Sequence, residues 1–144
     1  MKRIILIVMV LAWSGEALSL TPPLTPQVLR KAADLIVEGK VVSPLMCVSR
    51  IEQTPCFDMY RYAASIEVEK NLKGDAKVGK ILRINWVHYD YGKSHCVGDQ
   101  GPEVQQDQSG TYYLKRQEGG NYELWHWSAV KEKQAGTGGL PACK

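Results

Sequence analysis

YRYAASIEVEKNLKGDAKVGKILRINWV, residues 60–87, decides the fold. Tyr62, Ala64, Ile66 and Val68 alternate with Ala63, Ser65, Glu67 and Glu69, the period-two pattern of a strand with one dry face and one wet face. Leu82, Ile84 and Trp86 repeat the pattern against Arg83 and Asn85, and Lys73, Gly74 and Asp75 read as the turn between the two halves. Two strands cannot bury their apolar sides alone. The rest of the chain has to cover the sheet or close it on itself, and closure is the expectation.

Working outward toward the amino terminus, residues 34–42 form a first strand with Leu35, Val37, Gly39 and Val41 on one face and Glu38 and Lys40 on the other. Gly39 adds no packing, so it marks a bulge or tight bend of the kind a barrel needs. Ahead of it, Thr25 supplies a capping hydroxyl and Pro26 a first helical residue that loses no hydrogen bond, which predicts a short helix over 26–33. Residues 20–24 are a proline-rich, extended lead-in. Residues 43–58 hold Pro44, Cys47, Pro55 and Cys56 and read as a long loop between the first two strands, the candidate binding loop.

Toward the carboxyl terminus, residues 88–110 are polar and lack helical periodicity, so they read as loop. A fourth strand over 111–116 and a fifth over 122–130 are joined by Glu118, Gly119, Gly120 and Asn121, where the glycines accept the positive φ of a tight turn. Residues 134–144 are glycine-rich and would be loose but for Cys143. The expected fold class is all-β, a five-stranded OB-fold-like barrel with a short amino-terminal helix.

The 144 residues amount to one domain. Lys2 and Arg3, the apolar run 4–13, and then Ser14, Gly15, Ala17 and Ser19 have the order of a secretory signal cleaved after Ser19 or Ala17. The apolar run is too short to span a bilayer. Residues 1–19 are therefore expected to be a signal peptide and 20–144 a single domain with a carboxyl-terminal tail, secreted or periplasmic and without a membrane anchor once the signal is removed. The signal carries Lys2, Arg3 and Glu16, so its loss lowers the formal charge of +3 by one. A nearly balanced surface with scattered lysines does not make a nucleic-acid stripe. Cys47, Cys56, Cys96 and Cys143 are an even set in an exported chain, which predicts two disulfides in one of three pairings.

ADLIVEGKV (33–41), IEVEKNLKGD (66–75) and CVG (96–98) ahead of GTYYL (110–114) resemble, in order and spacing, the netrin-like domain shared with the tissue inhibitors of metalloproteinases and bacterial relatives. The resemblance implies that Cys96 pairs with Cys143, leaving Cys47 with Cys56. In the metalloproteinase inhibitors the mature chain begins with a cysteine whose amine and carbonyl chelate zinc. Here no cysteine precedes Cys47, so zinc-chelating inhibition does not carry over.

No constellation points to catalysis. His88, Asp90, His95 and Cys96 are close in sequence, but a disulfide-bonded Cys96 offers zinc no thiolate and catalysis no nucleophile. Glu67 and Glu69 stand about 7 Å apart along one strand face, a separation that inverting glycosidases use, yet without an apolar pocket neither becomes the acid. No metal or cofactor is expected. Trp125 and Trp127 share a face of the expected fifth strand, with His126 opposite, and serve either as core or as a platform for a sugar or a protein loop. The expected function is an exported, noncatalytic binding module, an inhibitor of a secreted or envelope enzyme. The residues expected to carry it are Met46, Val48, Arg50, Phe57, Trp125 and Trp127. An oligosaccharide-binding OB module and a small hydrolase using His88, Asp90 or the glutamates are the alternatives.

Overall fold

The computed structural model describes residues 21–92 and 94–144; the expected signal, residues 1–19, lies outside the described residues. The helix α1 (Pro26–Ala32) starts where expected: the Thr25 hydroxyl accepts the N–H of Val28, proline opens the first turn, and Leu29 is buried. Strands follow as β1 (Leu35–Val41), β2 (Met46–Gln53), β3 (Asp58–Lys73), β4 (Ile81–Asp90), β5 (Ser109–Arg116), β6 (Tyr122–Leu124) and β7 (Val130–Gln134). The fold is all-β, with seven strands rather than five.

The two additional strands have physical causes. Residues 43–58, expected to be loop, contain β2, whose alternation is broken by two slips in its register against β3. The expected strand over 122–130 splits into β6, a 3-10 turn at Trp127–Ala129, and β7. There the His126 side chain accepts the N–H of Ser128 and turns the chain out of the ladder.

Strand β3 organises the sheet. One edge pairs with β4, from Asp58 opposite Asp90 to Glu67 opposite Ile81. The other edge pairs with β2 over its first half and with β1 over its second. The connection to β4 is longer than a three-residue turn, because β3 continues to Lys73 along β1 and the chain returns through residues 74–80. Strand β4 pairs in parallel with β6, and β5 pairs antiparallel with β6, β7 and β1. The sequence β1, β3, β4, β6, β5 thus returns to β1, while β2 and β7 lie outside that circuit. With a β6 of three residues, the closure is irregular.

Gly39 performs the bend expected of it. The register of β1 on β3 slips between Glu38 and Gly39, and a Cβ there would stand 2.5 Å from the carbonyl oxygen of Glu67. Tyr62, Ala64, Ile66 and Val68 are buried with Leu82, Ile84 and Trp86, whereas Glu67 and Glu69 are exposed. Ala63 is buried too, opposite Met46 of β2. Each large side chain removed from water contributes about 1.5–3 kcal/mol.

Two disulfides close the molecule, Cys47–Cys143 and Cys56–Cys96, with Cα separations of 5.4 and 5.5 Å. This corrects the pairing of Cys47 with Cys56 and of Cys96 with Cys143. An extended strand carries Cys47 about 20 Å from the turn that holds Cys56, far beyond the span of a disulfide. The tail instead crosses the sheet, where the Tyr62 hydroxyl donates to the Pro141 carbonyl at 2.8 Å. Paired cysteines fit an oxidising, extracellular or periplasmic compartment. Among the described residues no helix is long and apolar enough to cross a membrane.

Candidate functional site

Two surfaces gather the residues singled out from the sequence. The first is the outer edge of β2, which pairs only with β3. Cys47 faces Tyr62 and Ser49 faces Arg61, then Arg50 faces Tyr60 and Glu52 faces Met59, so Val48 and Ile51 are the extra residues of two bulges. A bulge re-aims its side chain and bends the strand. Val48 is 50% exposed, Met46 47% and Ile51 43%, three apolar side chains open to solvent within six residues of one strand. Cys47–Cys143 lays the tail beside β2 and leaves a hollow of about 640 Å³ lined by Met46, Val48, Arg50, Tyr60 and Pro141.

Cys56–Cys96 anchors the β2–β3 turn to the long loop over residues 91–108. The turn is built by Thr54, whose hydroxyl oxygen accepts the N–H groups of Cys56 and Phe57 at 3.2 and 3.0 Å. Phe57 is half-buried and does not sit at an exposed tip: its ring stands edge-on to Tyr89 and Tyr91 at 5.5 and 5.6 Å.

The second surface is a groove along residues 98–102. Gly101 lies so close to β4 that a Cβ would fall 2.0 Å from the Val87 carbonyl oxygen, and the Tyr91 hydroxyl donates to the Asp99 carbonyl at 2.9 Å. Three adjoining hollows of about 300, 560 and 310 Å³ flank this loop, and Gln100 lines all three. The first is walled by Tyr89, Glu123, Trp125, His126 and Trp127. The third is bounded by Thr21, Pro22 and Pro23, where the Thr21 hydroxyl donates to the Asp99 carboxylate and the Thr21 carbonyl accepts the indole N–H of Trp127 at 2.9 Å.

His126 has a defined tautomer. The N–H of Ser128 donates to its Nδ1 at 3.1 Å, so the proton of the neutral ring is on Nε2, a buried donor without a hydrogen-bond partner. Burial pulls its pKa down, and the nearby Asp99 carboxylate opposes that shift. Trp125 and Trp127 do not alternate on a strand. Trp125 follows the end of β6, packs against the core and carries the Lys115 ammonium 4.9 Å from its ring centre, while Trp127 opens the 3-10 turn. Both are half-buried at the rim.

The remaining candidates stay apart. His88 is half-buried edge-on to Tyr62, with its pKa lowered by burial and partly restored by Asp90. His95 is exposed, as are Glu67 and Glu69. Among the described residues no group of three His, Cys, Asp or Glu side chains comes together as a metal site. Tyr89, Asp99, Gln100 and His126 were not among the binding candidates. The alternation Val87, Tyr89, Tyr91 past Trp86 was the available signal, since it carries the strand to Asp90. No protein-family model, curated protein or solved structure matches this chain.

Proposed function

We propose that this chain is an exported, noncatalytic binding module on an OB-type barrel, and that the bulged edge of β2 recognises a protein partner, a secreted or envelope enzyme that it inhibits. The observation that carries the reading is the exposure of Met46, Val48 and Ile51 on a strand flanked by two disulfides. Solvent does not favour holding such side chains out, and exposed apolar groups of this kind mark contact surfaces. Covalent anchoring removes most of the ordering entropy that a flexible loop loses on binding.

The OB-type assignment is supported by the circuit of β1, β3, β4, β6 and β5, a five-stranded Greek-key return with β2 and β7 added outside it. The netrin-like resemblance rests on its sequence motifs alone, and the cysteine pairing it implied is not the one found. The signal-like residues 1–19 and the paired cysteines together support export.

The test is a pull-down with the processed, oxidised protein from its own envelope and culture fluid, beside a Val48→Asp, Ile51→Asp variant. The wild type retains a partner whose activity it lowers. The variant unfolds at the same temperature as the wild type and retains nothing. Equal capture by both proteins overturns the reading.

A further inference from the structure

We propose that the groove along residues 98–102 is a binding site for a neutral oligosaccharide, distinct from the β2 edge and independent of it. The shape is elongated: three adjoining hollows are strung along one loop, with Gln100 common to all of them. An extended ligand of several similar units fits such a row better than a single compact molecule.

The chemistry of the walls narrows the class. A sugar ring offers an apolar C–H face and an edge of hydroxyls that both donate and accept. Tyr89, Trp125 and Trp127 supply flat apolar surface in the first hollow. Asp99 and Glu123 accept from hydroxyls, and the Gln100 amide does both. His126 lines the same hollow with its ring stacked on Trp127, centroids 5.8 Å apart, and backs that indole from behind. A purely apolar ligand would cover the Gln100 amide and strip water from two carboxylates whose only protein donors are Thr21 and Gln117 among the described residues.

Charge excludes the other polymers. Among the described residues no lysine or arginine lines any of the three hollows, whereas Asp99, Glu103 and Glu123 do. Such walls repel phosphates, sulfated glycans and nucleic acids. Aromatic rings beside carboxylates also suit an organic cation, but the nearest cation–π position, over Trp125, already holds the protein's own Lys115. A neutral, hydroxyl-rich chain is the class left.

The site is pre-shaped. Cys56–Cys96, the Tyr91 hydrogen bond to Asp99 and the close approach of Gly101 to Val87 hold the loop from three sides. Little ordering remains to oppose binding.

The experiment titrates the processed, oxidised protein with an array of neutral oligosaccharides, with heparin fragments and choline as charged controls, reading tryptophan fluorescence and calorimetry. Saturable binding of a neutral oligosaccharide, tighter than that of its monosaccharide, is the expected result. Trp127→Ala weakens it by about tenfold or more. Gln100→Ala, on an exposed loop side chain, weakens it as well without touching the core, and Val48→Asp leaves it unchanged. The proposal fails if no neutral glycan binds, if only heparin or choline binds, or if Trp127→Ala and Gln100→Ala both keep wild-type affinity.

Discussion

Cys47 in the second strand is bonded to Cys143 in the tail, across 96 residues of chain. That bond encloses nearly the whole folded unit, including the loop of 40 residues closed by Cys56–Cys96. On a chain-entropy estimate the outer bond stabilises by about 4.7 kcal/mol and the inner by about 3.9. Replacing Cys47 and Cys143 by serine is expected to lower the denaturant midpoint more than replacing Cys56 and Cys96. Urea unfolding of the two double variants checks the order. A variant lacking Cys47 and Cys143 that unfolds at the wild-type midpoint would contradict it.

Gly39 gives a second prediction. A methyl group there meets the Glu67 carbonyl of the neighbouring strand at 2.5 Å, and backbone cannot move aside as a flexible side chain does. Gly39→Ala is expected to destabilise by about 1–3 kcal/mol, the range for forced overpacking. Gly119, where nothing stands within 4 Å but φ is +77°, is the comparison: Gly119→Asn, a residue that tolerates the left-handed region, is expected to cost less. Thermal melts of the two variants decide it.

What the sequence disclosed depended on whether the pattern stayed regular. The central alternation from Tyr62 to Val68, the cap at Thr25 and the bend at Gly39 are local signals, and each corresponds to a feature of the fold. Strand β2 was hidden because the bulges at Val48 and Ile51 shift the period-two phase twice within 8 residues. Trp125 and Trp127 look like strand neighbours, but the break after Leu124 follows from a side-chain cap two residues on. The disulfide pairing depends on the path of the tail across Tyr62, a contact 79 residues long that no local motif encodes. Of the groove, only the tryptophans stood out, because its other walls come from stretches far apart in sequence, residues 21–23, Tyr89 of β4, Glu123 of β6 and the polar loop over 98–102, which only the fold brings together.

Two imidazoles make stability pH-dependent in a defined direction. His88 and His126 both have pKa values below the ordinary 6.5, with burial as the main cause and Asp90 and Asp99 opposing it. The unfolded chain therefore takes up protons at a pH where the folded one does not. Stability is expected to be flat above 6.5 as far as these groups are concerned, and to fall as pH drops below it. The carboxylate of Glu38 is held down by its hydrogen bond to Lys133, so its contribution is lost only in a lower window, below the ordinary 4.5. His88→Gln with His126→Gln is expected to flatten the upper window and leave the lower one. Denaturant midpoints across the acid range separate the two, and an unaltered slope below 6.5 in the double variant would rule out this assignment.

Gln108 is the polar counterpart of the core, 1% exposed. Its Nε2 donates to the Glu132 carboxylate at 3.0 Å, its Oε1 accepts the Gln105 N–H at 3.2 Å, and its backbone carbonyl accepts from the Val41 N–H and the Tyr112 hydroxyl. One side chain thus joins β7 to the loop that walls the second hollow of the groove. Gln108→Leu keeps the approximate volume but leaves the half-buried Gln105 N–H without its partner, at a cost of about 1–3 kcal/mol, while the exposed Glu132 carboxylate returns to water. Gln108→Glu is expected to be worse at neutral pH, because it sets a second carboxylate against Glu132. Burial and like charge raise the pKa of the introduced carboxyl in the folded state. Its penalty therefore shrinks as pH falls through that raised value, the reverse of the trend imposed by the two histidines. Parallel pH series of the wild type and both variants provide the check: Gln108→Glu gains stability relative to Gln108→Leu on acidification, and a constant gap between them would show that the Glu132 contact does not govern this site.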